Sequence, residues 1–171
     1  MSQYKNFDLN YRFYAFVANL YLSPLQCGLQ TAHVVADMSM SFTDEDEASE
    51  AYIQWATSDK VIIICGALNH GGVTNCYDTL LNFRLPIELP IDIFYEDEIS
   101  MNGMATACGV VVPNIYFDAV YDAGESDPCL DQTVYGPAYI YTDKETGDYI
   151  RFPLSSQEGQ FIQHIKSYRL A

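Results

Sequence analysis

Three side chains able to do chemistry share one stretch of this sequence: Gln26, Gln30 and His33, in "SPLQCGLQTAHV". Their spacing of i, i+4 and i+7 puts them on one face if the stretch is helical. The carboxamides offer donors and acceptors to a carbonyl or phosphate, and the imidazole can exchange a proton near neutral pH. The structural alternative is that Gln30 and His33 satisfy buried backbone groups. Further along, "FYEDEISMNG" gathers Glu96, Asp97 and Glu98, the best acidic cluster in the chain, with a solvated turn as its simpler reading. "NHGGV" sets His70 among glycines that could form an anion nest before a helix. No Walker lysine follows, so a flexible loop is expected there.

Other chemistries find no pattern. His33, His70 and His164 fall on separate segments without ligand spacing, so no metal is expected and no cofactor is implied. "FTDEDEASE" lacks the EF-hand glycine and spacing, and reads instead as a helix start whose carboxylates complement the dipole. No GxSxG motif supports a serine nucleophile. Cys27, in a first helical turn, reads as a small packing residue.

At 171 residues the chain is one domain of ordinary size, long enough to bury a core. Acidic residues outnumber basic ones 23 to 8, a formal net charge of -15. Such a field repels phosphate backbones, so nucleic acid is not an expected partner. The 14 tyrosines give amphipathic surface suited to a protein partner or a small-molecule ligand. Cys27, Cys65, Cys76, Cys108 and Cys129 are odd in number, form no CxxC pair and sit mostly in apolar contexts. Five free thiols in a reducing cytoplasm are expected. The opening "MSQYKNFDLN" is polar, unlike a signal peptide, and no apolar run has membrane-spanning length. A soluble, cytoplasmic protein is the expectation.

Positioning the candidate residues requires alternating elements. Tyr11 to Leu20 is aromatic and β-prone. Ser23 and Pro24 open a core-packing helix to about Met38, with Leu25, Leu29, Ala32 and Ala36 at helical spacing. Thr43 predicts the cap of a second helix through Trp55. The unbroken apolar run "KVIIICG" predicts a strand at Val61 to Cys65 in the interior of the sheet. A helix follows from about Gly72 to Phe83, then strands at Ile91 to Tyr95 and Met104 to Val112, with the acidic turn between them. A short helix over Asn114 to Tyr121 comes next. Beyond Gly124 the sequence predicts a hairpin turning at "DKETGD" and a closing amphipathic helix with Phe161, Ile162, Ile165 and Tyr168. The order predicts an α/β sandwich, with helices covering a mixed sheet.

Here the residues meet a family. "FYAFVANLYLSPLQCGLQTAHV" resembles the opening of the archaeal and eukaryotic type of peptidyl-tRNA hydrolase, type 2. There a strand ends in Asp-Leu, and a Gly-Lys sequence opens a helix carrying a glutamine and a histidine. Leu20 matches the leucine, Ser23 and Pro24 occupy the turn, and Gln30 and His33 match without a gap. "KVIIIC", "YDTLLNFRLPIE" and "MATACGVVVP" resemble the later elements in outline, so the likeness covers roughly 12–121 and leaves 124–171 as a C-terminal extension. It implies one domain over 1–171, a three-layer α/β/α sandwich on a small mixed sheet, with a C-terminal hairpin and helix. It also implies a site at Asn19, Gln26, Gln30, His33, His70, Glu96, Asp97, Glu98 and Thr106.

The departures bear on activity. The family's helix-opening lysine falls on Gln26 and its strand-ending aspartate on Asn19. Its catalytic aspartate has Glu96 or Asp97 as counterparts, closely spaced to Thr106. Losing a cation beside a developing oxyanion costs roughly 10²–10³ in rate. The expected protein is therefore a hydrolase-like accessory protein, of the phage type, that no longer hydrolyses and binds a host protein or a small ligand. An active peptidyl-tRNA or related ester hydrolase would use Gln26, Gln30, His33, Asp97 and Thr106. An acidic mimic of nucleic acid, competing for a basic partner, is the third reading.

Overall fold

The computed structural model describes residues 4, 7–20, 23–43, 46–67, 69–121, 136–143 and 146–171. Four strands form the main sheet: β1 (Tyr11–Ala18), β2 (Ile62–Ala67), β3 (Ile91–Tyr95) and β4 (Ala105–Pro113). Their order is β2-β1-β4-β3, with β1 parallel to β2 and β4 antiparallel to both β1 and β3. The C-terminal ends of β1, β2 and β3 therefore meet the N-terminal end of β4 at one end of the sheet.

Both faces of the sheet are covered. On one lie α1 (Pro24–Ser41) and α2 (Glu47–Thr57), which enclose Phe13, Val17, Val34, Met38, Trp55 and Val111. The Trp55 and Phe13 rings are 5.2 Å apart, and the indole N–H donates to the Val61 carbonyl. On the other lie α3 (His70–Asn82), α5 (Asn114–Phe117) and α6 (Ser156–Ser167), over Phe16, Cys76, Leu80, Val110, Tyr116 and Phe161. Phe13 owes its place to Gly109 on the neighbouring strand, where a Cβ would come within 2.3 Å of the phenyl ring.

Several expectations need correction. The strand at Val61 to Cys65 is not interior: β2 is an edge of the sheet, Ile62 is exposed and Ile64 only half-buried. Its apolar run reflects layers above and below, not neighbours on both sides. The outer edge is partly closed by the last residues: Gly66 donates to Arg169, and Ala171 donates to Ile64. The second helix is capped by Asp46, which accepts from the Ser49 N–H at 2.6 Å, rather than by Thr43. "NHGG" is not a loop. Asn69 caps α3 by accepting from Gly72 N–H, so His70, Gly71 and Gly72 form its first turn. Leu25, Leu29, Ala32 and Ala36 face solvent, and α1 buries Cys27, Gln30, Thr31, Val34 and Met38 instead.

A second sheet, β5 (Val120–Tyr121), β6 (Pro137–Thr142) and β7 (Tyr149–Pro153), includes the expected hairpin, and α6 follows it. The short helix before it ends at Phe117, and Val120 and Tyr121 are strand. Phe7 packs edge-on against Tyr139, Tyr141 and Phe152 and ties this sheet to the start of the chain. Cys27, Cys65, Cys76 and Cys108 are buried free thiols, while Cys129 lies outside the described residues. Among the described residues, no helix is long and apolar enough to cross a membrane.

Candidate functional site at the strand ends

The first helix starts where the sheet ends. Ser23 accepts from the Gln26 N–H at 3.2 Å and Pro24 opens the helix, so α1 leaves the end of β1 and runs back along β3. That path brings Gln30 beside the loop after β3. The Gln30 Nε2 donates to Glu96 Oε1 at 2.9 Å, and the Thr106 hydroxyl donates to Gln30 Oε1 at 2.7 Å. Thr106 and Gln30 are buried and Glu96 is half-buried, so the relay runs from the sheet interior toward solvent.

A bulge aims Thr106. Phe94 pairs with Ala107 but Tyr95 pairs with Ala105, leaving Thr106 as an extra residue in β4. Regular alternation would turn Thr106 toward α3. With the bulge, Thr106 and Ala107 both face α1, while Ala105 joins the core beneath α3. Bulges re-aim side chains in this way, often beside binding sites.

The expected "EDEISMNG" turn contains one helical turn, α4 (Glu98–Met101). Asp97 Oδ1 accepts from the Ile99 N–H at 2.8 Å, a local capping bond. Asn102 at φ 54° and Gly103 at φ 66° reverse the chain, which then rejoins the ladder through Glu96 N–H to the Met104 carbonyl. Of the two acidic candidates, Glu96 is the one bonded to Gln30; Asp97 is exposed in the turn.

The other candidates divide by geometry. His33 stacks flat on Phe94, with ring centroids 4.5 Å apart and planes 11° from parallel. His70 is exposed and reaches Ala105 at the start of β4. Its Nδ1 lies 3.0 Å from the Ala105 nitrogen and 3.3 Å from its carbonyl oxygen, and one nitrogen cannot accept from the first while donating to the second. The shorter contact decides: Nδ1 accepts from the amide, which leaves the proton on Nε2. Asn19 extends the β1–β2 ladder by donating to the Ala67 carbonyl, with its side chain over Gly66, where a Cβ would lie 2.9 Å from Oδ1. Gln26 turns back onto its own cap and accepts from the Ser23 hydroxyl at 3.1 Å. The helical face read from spacing is thus split: Gln30 and His33 meet β3 and its loop, whereas Gln26 is exposed beside Ser23.

Sequence reading missed a second polar cluster, under α6. The Cys76 sulfur lies 3.8 Å from His164 Nε2, and Cys108 donates to the Val73 carbonyl. The Cys76 thiol is pulled below its usual range, first by hydrogen bonding with Cys108 and then by His164, while the partnership and burial push Cys108 up. Only the three-dimensional fold joins these residues, since their positions share no spacing. Among the described residues, no group of three or more His, Cys, Asp or Glu side chains is arranged to hold a metal ion.

No protein-family model matches this chain, and no curated protein matches it either.

Proposed function

We propose that this chain is a three-layer α/β/α sandwich of the type 2 peptidyl-tRNA hydrolase kind that binds rather than hydrolyses. Its binding surface is the strand-end loops around Gln30 and Glu96, and its ligand is a basic protein surface or a small polar molecule. The observation that carries the reading is the state of Gln30. Both ends of its amide are engaged, by the Thr106 hydroxyl and by Glu96, and the position resembling the family's lysine is an uncharged glutamine folded onto Ser23. Stabilising a developing oxyanion takes preorganised donors or cations aimed at it. Here the half-buried group at the mouth of the relay is a carboxylate, which repels an oxyanion and attracts cations. With a net charge of -15 the chain also disfavours tRNA. Open α/β sheets bind ligands beyond their strand ends, where these loops converge.

Two experiments test this. Labelled peptidyl-tRNA incubated with the protein should be hydrolysed no faster than without it. Turnover abolished by Gln30→Ala or Glu96→Gln would replace this reading with a hydrolase that uses Glu96 as base. For binding, partners captured by the native protein should be lost when Glu96, Asp97 and Glu98 are all changed to Lys. They should be retained when Asp44, Glu45 and Asp46 are changed to Lys. The reverse pattern would move the site away from the strand-end loops.

A further inference from the structure

On the face of the sheet away from Gln30, one sulfur collects three side-chain partners. Cys76, on α3, is wholly buried. His164 Nε2, on α6, lies 3.8 Å from its sulfur, and the hydroxyl of Tyr168, at the end of the same helix, also bonds to it. The third partner is Cys108 on β4, the strand that α3 packs against. Cys108 has a single S–H, which can turn to the Val73 carbonyl, 3.6 Å away, or to Cys76. Three donors around one acceptor favour that acceptor as an anion. Cys76 is accordingly pulled below the usual thiol range, first by Cys108 and then by His164 and Tyr168, in spite of its burial. Cys65, buried in the same core, behaves in the opposite way: burial, and then the Cys76 charge, push its thiol up to about 11.

We propose that Cys76 and Cys108 form a redox-active dithiol, in which Cys76 attacks a small hydroperoxide and Cys108 resolves the product into a disulfide. Cys76 first passes its proton to His164 Nε2, and its sulfur attacks the terminal oxygen of the hydroperoxide. The O–O bond breaks, and the leaving oxygen takes the proton back from His164 as alcohol or water. Cys76 is left as a sulfenic acid. The Cys108 sulfur then attacks the Cys76 sulfur, the S–O bond breaks, and hydroxide leaves with the Cys108 proton as water. Two thiols have lost two electrons and the peroxide has gained them. The two sulfurs start in hydrogen-bonding contact and close to about 2 Å in the disulfide. The half-buried rings of His164 and Tyr168 flank the attacking sulfur, so its oxidant is a small molecule rather than the disulfide of another protein. This pair lies across the sheet from the strand-end site, and neither proposal rests on the other.

Reduced protein treated with hydrogen peroxide, then denatured, alkylated and mapped by mass spectrometry, tests the proposal. The expected product is a Cys76–Cys108 disulfide that dithiothreitol reverses. Cys76 should lose its thiol at least about tenfold faster than Cys65, because the thiolate is the nucleophile. Both readings come from the unaltered protein, so they stand whether or not a variant folds. In Cys108→Ser, Cys76 should stop at sulfenic acid and be trapped by dimedone. His164→Phe keeps a ring between Phe83 and Tyr168 but removes the proton carrier. It should slow Cys76 oxidation about tenfold and lower the ultraviolet absorbance of the thiolate. Cys76 oxidised no faster than Cys65, sulfenic acid without a disulfide in the unaltered protein, or His164→Phe oxidised at the native rate would each overturn the assignment.

Discussion

Two glutamates in this molecule sit in hydrogen-bonded networks, and their surroundings give them different work. Glu158 is fully buried in the first turn of α6. It closes a capping box with Ser155, accepts from the Tyr4 hydroxyl and lies beside Tyr116. The Tyr116 hydroxyl is held far from ionisation, first by burial and then by the Glu158 charge. Glu96 is half-buried at the strand ends and accepts from the Gln30 amide. Glu158 is bonded to Tyr4, 154 positions away, and lies among aromatic rings, so its network joins the start of the described chain to α6. Glu96 faces loops and solvent, where a carboxylate can meet something from outside. Sequence alone treats the two alike; enclosure separates them.

Breaking the enclosed network should have the largest effect. Glu158→Ala removes a capping box and the bond from the Tyr4 hydroxyl to a buried carboxylate, losses of about 1 kcal/mol for the cap and about 1.5–3 kcal/mol for the hydrogen bond to a charged group. A urea titration should show a midpoint fall matching about 3 kcal/mol. A change below about 1 kcal/mol would mean that Glu158 is not the anchor described here.

Next comes the relay at the strand ends. Thr106→Val leaves the Gln30 carbonyl oxygen buried without its donor, a cost of about 1–3 kcal/mol. Combining it with Gln30→Leu should cost less than the sum of the single changes, because the pair acts as a unit. Additive losses in the double-mutant cycle would argue against the hydrogen bond between them.

Glu96→Gln keeps an acceptor for the Gln30 Nε2 while removing the charge, so it should leave the urea midpoint almost unchanged. Surface substitutions usually fall within about 0.5 kcal/mol. Unchanged stability with lost binding would set Glu96 apart from Glu158 most sharply.

The smallest effect concerns Asp46, whose carboxylate is held below its usual range by the Ser49 backbone N–H and then by the Ser49 side chain. A depressed folded value means that the cap stabilises above the ordinary carboxylate range and is lost as pH falls through the folded value. Asp46→Asn keeps a capping acceptor but does not titrate. The difference between the two proteins should therefore be constant at neutral pH and close as the solution is acidified below about pH 4. Thermal melts along that series would show it, and parallel curves throughout would refute it.

Much of the fold was legible because local chemistry and long-range packing agree. Ser23-Pro24 marks the start of α1, "IDIFY" is a strand, and the aromatic arms around "DKETGD" pair as β6 and β7. The acidic turn was legible as a location, though not the choice of Glu96 over Asp97. The failures share a cause. "KVIIICG" is apolar on both sides because layers lie above and below it, and composition cannot report whether a strand also has neighbours on both edges. The outer stripe of α1 has helical spacing as good as the buried one, so periodicity found the helix but not which side faces the sheet.

The sequence by itself determined the alternation of elements, the strong negative charge and the glutamines near the start of the first helix, because each depends on residue type and near neighbours. Only the tertiary structure decided which glutamine is bonded to the strand-end loop. The bulge that turns Thr106 onto Gln30 is one extra residue in β4 relative to β3, a mismatch between strands that touch only after folding. The same holds for Cys76 with His164, 88 positions apart, and for Tyr4 with Glu158. Such contacts depend on how far one element slides past another. Packing across the whole core sets that distance, and no local pattern encodes it.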